Sequence, residues 1–220
     1  MNTNKMQRSV VHSTFDHYVY QIFSQRAYLN TKGPPEKAAF VVFPGGADIN
    51  PKLYGEEPLE RTHFKEQSDN CDLSMWEKVK DDNEIFKIGI CRGAQFLNVM
   101  NGGKLWQHVD NHALGLRKTH RAYNLLPIPK SEYSKSKVLQ LNSLHHQMMI
   151  PHPKGHVLCI ANEGNNFYSA DEHRQPDGHD PEVVWYPETK SLCFQPHPEE
   201  QSAYETRNYF FSLITYLSNT

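Results

Sequence analysis

The sequence has few features of an extracellular or membrane protein. Only four of its 220 residues are cysteines, and they lack the spacing of a metal-binding motif. Cys159 and Cys193 fall in apolar segments that predict core strands, which favours reduced thiols and a cytoplasmic location over a disulfide framework. No window approaches 18 apolar residues, and residues 1–10 lack the apolar core of a signal peptide. We therefore expect no membrane partner.

Long runs of positive charge are also missing. The formal net charge is −2, and no segment is rich enough in lysine or arginine to form the basic surface that nucleic-acid binding requires. Small molecules are therefore the expected partners, and nucleic acid is not. Repeats and low-complexity linkers are absent too, and this length suits one α/β domain. We predict a single domain over residues 1–220.

The pattern of apolar residues predicts strands alternating with helices in the first half of the chain. Such alternation is typical of a mostly parallel, doubly wound sheet with helices on both faces. The predicted strands there are Ser9–Thr14, Ala38–Phe43 and Ile85–Ile90. The first predicted helix is Asp16–Leu29, with Ala27 on its buried stripe, and the second is capped by Ser68 or Asp69 and ends near Lys80. The third follows Cys91 and buries Ala94, Phe96, Leu97 and Met100.

The second half of the chain has a different pattern. Val157–Ala161 predicts a strand, and Glu182–Tyr186 and Ser191–Gln195 predict two more, joined as a small antiparallel hairpin around residues 187–190. Tyr204–Leu217 predicts an amphipathic closing helix. The fold class expected from both halves is α/β.

Gly89-Ile90-Cys91-Arg92-Gly93 follows a buried strand and precedes a helix. Flanking glycines permit the sharp turn that raises a nucleophile above a sheet edge, as in G-x-S-x-G hydrolases with serine replaced by cysteine. A thiol at a helix N-terminus also ionises more easily. On the motif alone, a small buried core cysteine remains an equal alternative.

A base for this thiol is predicted at the end of another strand. His197 and Glu199 follow Ser191–Gln195 two residues apart, so in an extended segment they point to the same side. Glu199 could then orient His197 while His197 faces Cys91, which is the arrangement of a catalytic triad. The alternative is a solvated histidine in a proline-rich turn.

Five segments together resemble the class I glutamine amidotransferase-like superfamily, and most closely its gamma-glutamyl hydrolase branch. The resemblance runs from about Phe40 to about Tyr216. The Cys-Arg-Gly-x-Gln elbow favours that branch over amidotransferase domains. The segments are Phe43-Pro44-Gly45-Gly46, Gly89-Ile90-Cys91-Arg92-Gly93-Ala94-Gln95, Gly102-Gly103-Lys104-Leu105-Trp106-Gln107, Asn142-Ser143-Leu144-His145-His146-Gln147 and Gln195-Pro196-His197-Pro198-Glu199.

The resemblance implies a flavodoxin-like three-layer fold with a compressed N-terminal part, because only residues 30–37 are left for a strand and helix that the family usually has there. It also implies that the backbone N–H groups of Gly46 and Arg92 form the oxyanion hole, and that Gln95 and Ser143 contact the glutamyl group. Without the resemblance, Gly45-Gly46 could be a plain turn, Gln95 a surface residue of a helix, and Ser143 an ordinary turn serine.

The loop Asp171–Asp180 is rich in histidine and aspartate and could offer metal ligands. Its proline, glycine and charge content more often means a solvated loop, which is our prediction; it could also shape the acceptor side of the pocket. We expect His145 and His146 to be structural or to lie at the rim of the site.

The function implied is hydrolysis of a gamma-glutamyl amide by Cys91, His197 and Glu199, with no cofactor and no metal. One alternative is a free-standing glutaminase subunit that supplies ammonia to a separate synthetase or ligase. A second is a non-enzymatic member with a redox-sensitive Cys91, which the complete triad disfavours.

Overall fold

The structure is a computed structural model. Ala27, Asp171 and residues 175–178, which figured in the sequence predictions, lie outside the residues it describes. The described residues are 9–14, 16–26, 29–30, 33–115, 118–135, 138–162, 166–170, 172–174 and 179–220.

Fourteen strands are found in the described residues. A nine-stranded sheet forms the centre, in the order β2-β1-β3-β4-β14-β13-β10-β7-β8, and the remaining strands form two small sheets, β12-β11-β6 and β5-β9. The strands are β1 (Ser9–His12), β2 (Leu29–Asn30), β3 (Phe40–Phe43), β4 (Phe86–Ile90), β5 (Lys104–Trp106), β6 (His108–Val109), β7 (Thr119–Asn124), β8 (Val138–Asn142), β9 (Met148–Ile150), β10 (His156–Ala161), β11 (Phe167–Tyr168), β12 (His173–Arg174), β13 (Asp180–Tyr186) and β14 (Ser191–Phe194).

The central sheet is mostly parallel, as predicted. Strands β2, β1, β3, β4 and β14 pair in parallel, whereas β13 and β7 run antiparallel to both of their neighbours. The predicted hairpin is β13–β14, closed by a 3₁₀ turn at Pro187–Thr189 and by Lys190 in the left-handed region at φ 47°. The antiparallel part extends beyond that hairpin, because β10, β7 and β8 continue the sheet.

Four α-helices in the described ranges cover the two faces of this sheet. Helices α1 (His17–Gln25) and α4 (Tyr204–Leu217) contribute to one buried apolar cluster, and α2 (Glu66–Val79) and α3 (Arg92–Met100) contribute to another. The strands supply residues to both clusters, which gives the expected three layers. In the described part of the chain, no helix has both the length and the apolar character needed to cross a bilayer.

The N-terminal part is compressed, as expected. The two-residue strand β2 and a 3₁₀ turn at Pro35–Lys37 occupy the place of a full strand and helix. Helix α1 ends at Gln25, earlier than the predicted Leu29. The buried face of α3 was predicted correctly except at Met100, which is only partly buried.

The predicted start of α2 was wrong. The helix begins at Glu66 instead of at a cap formed by Ser68 or Asp69, and the residue before it, Lys65, provides no side-chain cap. Asp69 and Asp72 lie inside the helix and are buried. Their carboxylates bind Arg92, so these residues lie within the helix and do not cap it, although aspartate is a common cap residue.

Candidate functional site

Cys91 lies on a sharp elbow between β4 and α3. Its backbone has φ 50° and ψ −108°, a conformation that costs a residue with a side chain about 1–3 kcal/mol. The Cys91 N–H donates to the Phe194 carbonyl at 2.9 Å, which fixes the elbow to the end of β14. Cys91 is the N-cap residue of α3, so its side chain lies at the N-terminus of that helix.

Two glycines permit this elbow. A Cβ atom at Gly89 would overlap main-chain atoms of Gly93, and one at Gly93 would overlap the carbonyl group of Phe43. Both obstacles are backbone, which cannot move away as a flexible side chain could. Glycine at both positions therefore lets the first turn of α3 lie directly against the ends of β3 and β4.

His197 and Glu199 lie just beyond the end of β14. The Nδ1 atom of His197 is 2.6 Å from Oε1 of Glu199, so Nδ1 carries the hydrogen, and Cys91 is the other group that interacts with the imidazole. Burial lowers the pKa of His197, but the interactions with Cys91 and Glu199 outweigh it and raise the pKa to about 11. The site thus favours an imidazolium beside the sulfur.

The glycine loop after β3 completes the arrangement. A Cβ atom at Gly45 would lie 3.4 Å from Cε1 of His197 and 3.9 Å from Cβ of Cys91. A Cβ atom at Gly46 would lie 3.1 Å from Cδ of Arg92. The structure therefore brings together the five residues expected at the reaction centre, which are Gly46, Cys91, Arg92, His197 and Glu199.

The Arg92 side chain, next to Cys91 in the chain, is held by two carboxylates of α2. Its guanidinium group binds Asp69 at 2.5 Å and also binds Asp72, and all three side chains are buried. The two carboxylates are three residues apart on α2, so they share one face of the helix. The three-residue spacing of the two aspartates was the available sequence signal for these ion pairs. The preference of serine and aspartate for helix caps led instead to the prediction of a helix start at Ser68 or Asp69.

Gln95 and Ser143 are both buried and hydrogen-bonded within the protein. Nε2 of Gln95 lies 3.2 Å from Oε1 of Gln195 and 3.4 Å from the Gln147 carbonyl. The hydroxyl of Ser143 donates to the His112 carbonyl. Gln95 is therefore not a surface residue of α3, and contact of either side chain with a substrate stays a prediction.

Asn142 has a part in this site that the sequence analysis did not assign. Its Oδ1 accepts from the His197 N–H at 2.9 Å, and its Nδ2 donates to the His197 carbonyl at 2.7 Å. These two bonds hold both peptide groups of the residue whose imidazole faces Cys91. Asn142 begins one of the five segments that carried the resemblance, and its position there was the only signal.

The remaining predicted residues have mixed outcomes. His145 is buried, and His146 is partly exposed with Nε2 3.0 Å from Oδ1 of Asp48. Glu172, His173 and His179 are exposed, as expected for a solvated loop. That expectation was wrong for Asp180, which is fully buried at the start of β13 and lies 3.1 Å from His112.

A mostly parallel sheet with a cysteine elbow is the fold of the class I glutamine amidotransferases. Consistent with this, a glutamine amidotransferase from Thermotoga maritima superposes over 97% of this chain and 85% of its own, with a TM-score of 0.62 and 14% identity. A Thermoplasma acidophilum protein described as a GMP synthase component superposes over 97% and 95%, with a TM-score of 0.65 and 12% identity.

The family follows from the sequence itself. The peptidase C26 family model matches residues 36–188, and the chain belongs to that family. The glutamine amidotransferase-like protein YvdE of Lactococcus lactis is 29% identical over 158 residues, covering 67% of this chain and 65% of that protein. The chain thus spans less than two thirds of the length of the first curated relatives that it matches.

Proposed function

We propose that this protein hydrolyses a gamma-glutamyl amide through a covalent glutamyl thioester. The observation that carries the proposal is the convergence of Cys91, His197 and Glu199 at the ends of β4 and β14. A nucleophile on an elbow, a base and a carboxylate that orients the base are the parts that covalent acyl transfer requires.

Each residue has a distinct role in the proposed reaction. His197 holds the proton of Cys91, and the thiolate attacks the δ-carbonyl carbon of the substrate. The tetrahedral intermediate collapses as the C–N bond breaks, and His197 gives its proton to the departing amine. Water, with its proton taken by His197, then cleaves the thioester and releases glutamate. Glu199 keeps the imidazole in the required orientation.

The proposed oxyanion hole consists of the Gly46 and Arg92 N–H groups. Arg92 is the first residue of α3, and Gly46 lies beside its side chain. The buried ion pairs of Arg92 with Asp69 and Asp72 support this part of the elbow. Backbone donors fixed before the reaction are typically worth about 10²–10³ in rate each.

Gln95 and Ser143 remain the proposed contacts for the glutamyl group. Their side chains already have internal partners, so substrate contact requires either a shared hydrogen bond or an exchange of partner. Gln95 lies one helical turn after Cys91, which suits a residue that positions the scissile amide over the thiol.

The second candidate function is a glutaminase subunit that passes ammonia to a synthetase or ligase. The Thermoplasma protein of similar fold is described as one component of a synthase. In this chain, α1 beside the short edge of the sheet exposes Tyr18 at 55% and Tyr20 at 37%, which would suit a partner surface.

A substrate panel separates these two functions. The purified chain is assayed alone with glutamine and with several gamma-glutamyl amines, including gamma-glutamyl-gamma-aminobutyrate. We expect a greater kcat/KM for one of the gamma-glutamyl amines, because a bound amine portion contributes positioning energy that ammonia lacks.

The control is Cys91→Ala, which should be inactive on every compound. A chain that is idle on the whole panel, but hydrolyses glutamine once its synthetase is added, would contradict the hydrolase proposal and support the ammonia-supplying role.

A further inference from the structure

Three histidines surround one carboxylate in the interior, away from Cys91. We call His112, His120, His145 and Glu182 the histidine cluster; none is more than 3% exposed. Oε1 of Glu182 lies 3.4 Å from Nδ1 of His112, 3.5 Å from Nε2 of His120 and 3.6 Å from Nε2 of His145. These side chains thus gather potential ligand atoms in one small buried space.

We propose that the histidine cluster binds one divalent transition-metal ion of the zinc type, with His112, His120 and Glu182 as its three protein ligands. Zinc prefers four nitrogen, sulfur or oxygen ligands in a tetrahedron, with bonds of about 2.0–2.1 Å to imidazole, so ligand atoms lie roughly 3.4 Å apart. The distances from Oε1 of Glu182 to the His112 and His120 nitrogens, 3.4 and 3.5 Å, agree with that spacing. The ligand atoms of these three residues all lie within 4.8 Å of one another.

The outer nitrogens of His112, one of these ligands, and of the neighbouring His145 provide independent support. Nε2 of His112 is 3.1 Å from Oδ2 of Asp180, and Nδ1 of His145 is 2.9 Å from the Gln147 carbonyl. A carbonyl accepts hydrogen bonds and an ionised carboxylate does the same, so these nitrogens carry hydrogen. In a neutral ring the other nitrogen then directs a lone pair at Glu182. Metal-bound histidines commonly show this outer pattern, with a carboxylate or carbonyl fixing the tautomer.

The inner atoms also lack other partners. Among the described residues, Nδ1 of His112, Nε2 of His120, Nε2 of His145 and Oε1 of Glu182 are buried without a hydrogen bond of acceptable geometry. Buried polar atoms are rarely left in that state. Glu182 and Asp180 together bring two negative charges into the interior, and one divalent cation among neutral imidazoles would balance them. The alternative is that protonated histidines supply the positive charge.

The proposed ion would support the catalytic site without touching the substrate. His145 lies in the same short segment as Asn142, which holds the backbone of His197. The Glu182 carbonyl accepts from the Gln195 N–H at 2.8 Å, just before the His197 turn. Fixing the histidine cluster therefore fixes two of the segments that position His197. The role is structural, and it does not depend on the proposed hydrolase activity.

The first test is metal content and metal-dependent stability. The chain is produced in medium with zinc, passed over a chelator, and analysed by elemental mass spectrometry; we expect about one zinc per chain. It is then unfolded with chelator, refolded without metal, and titrated with zinc. Because a buried site forms with the fold, zinc should raise the Tm by more than about 5 °C. Cobalt in place of zinc should give the visible absorption of a tetrahedral site.

Variants locate the site. His120→Ala and Glu182→Gln should each reduce bound zinc at least about tenfold, as expected when one of three protein ligands is removed. The matched control is His108→Ala, which removes a histidine outside the cluster and should keep the metal. The wild-type titration keeps the proposal testable if a variant fails to fold. A wild-type chain that folds without metal, and whose Tm neither zinc nor cobalt changes, would overturn the proposal in favour of protonated histidines.

Discussion

The two halves of the central sheet place their polar residues differently. In the half formed by β3, β4 and β14, the candidate catalytic groups lie in the loops that follow the strands. In the half formed by β13, β10, β7 and β8, polar groups lie inside strands, with His120 on β7 and Glu182 on β13. The first half presents its polar groups beyond the ends of its strands, whereas the second half encloses its polar groups within the sheet.

This difference separates the polar groups that can meet a substrate from those that support the fold. Ligands of open α/β sheets bind beyond the carboxyl ends of the strands, where loops can present reactive groups without disturbing the ladder. Polar groups inside strands are held by the surrounding sheet and are shielded from solvent. Asn142, at the end of β8, connects the two halves because it binds the backbone of His197.

The largest expected effect tests whether chemistry is confined to the first half. Cys91→Ala should lower kcat for a chromogenic gamma-glutamyl anilide by about 10⁶-fold, the loss typical of removing a triad nucleophile. Circular dichroism should show an unchanged fold. Cys71→Ala is the control, since Cys71 is exposed on α2 and should keep full activity. Retained turnover in the Cys91 variant would contradict the mechanism.

The next effect distinguishes the base from the residue that orients it. His197→Ala should cost about 10⁶-fold in kcat, and Glu199→Gln about 10⁴-fold, because glutamine keeps an acceptor but loses the charge that stabilises imidazolium. Glu199 is one of the groups that raise the pKa of His197. The alkaline limb of the kcat/KM profile should therefore move to lower pH in Glu199→Gln. Full activity in Glu199→Ala would remove this residue from the triad.

The smallest effect tests the connection between the two halves. Asn142→Ala removes both hydrogen bonds to the His197 backbone, and we expect kcat to fall about 10²-fold with little change in KM, because the imidazole is misplaced. Asn142→Asp should lose less, since it keeps the acceptor for the His197 N–H. Gln140→Ala, an exposed change on the same strand, is the control. Equal activity of Asn142→Ala and wild type would show that the His197 turn holds its geometry without this contact.

Local sequence patterns were sufficient to predict the strands and the cysteine elbow of the first half. Glycines around Cys91 indicated the elbow, since only they permit its close backbone contacts. The apolar strands β3, β4 and β14 and the amphipathic helix α4 follow from hydrophobic periodicity, and α4 has the predicted bounds Tyr204–Leu217. In each case neighbouring residues in the sequence carry the whole signal.

The second half could be predicted only in part: β10 and β13 agree with the predicted strands Val157–Ala161 and Glu182–Tyr186, whereas β7 and β8 were not predicted. Strands β7 and β8 alternate between buried and exposed positions, but His120 and Asn124 occupy buried positions of β7, so no apolar alternation marks it. The histidine cluster joins residues from the loop before β7, from β7, from the segment after β8 and from β13. In the first half, the ion pairs of Asp69 and Asp72 with Arg92 were missed for the same reason, because Arg92 is distant in the sequence, on the next helix. Such signals appear only when distant segments meet.

The two hydrogen bonds from Asn142 to His197 have a consequence for the evolution of this protein. Both hydrogen bonds reach peptide groups and neither reaches the imidazole, so the loop would keep its course with any side chain at position 197 that tolerates the same backbone. A lineage could then lose the base, and with it turnover, while retaining the scaffold around the cysteine elbow. Inactive relatives of this kind would be available for recruitment as binding proteins.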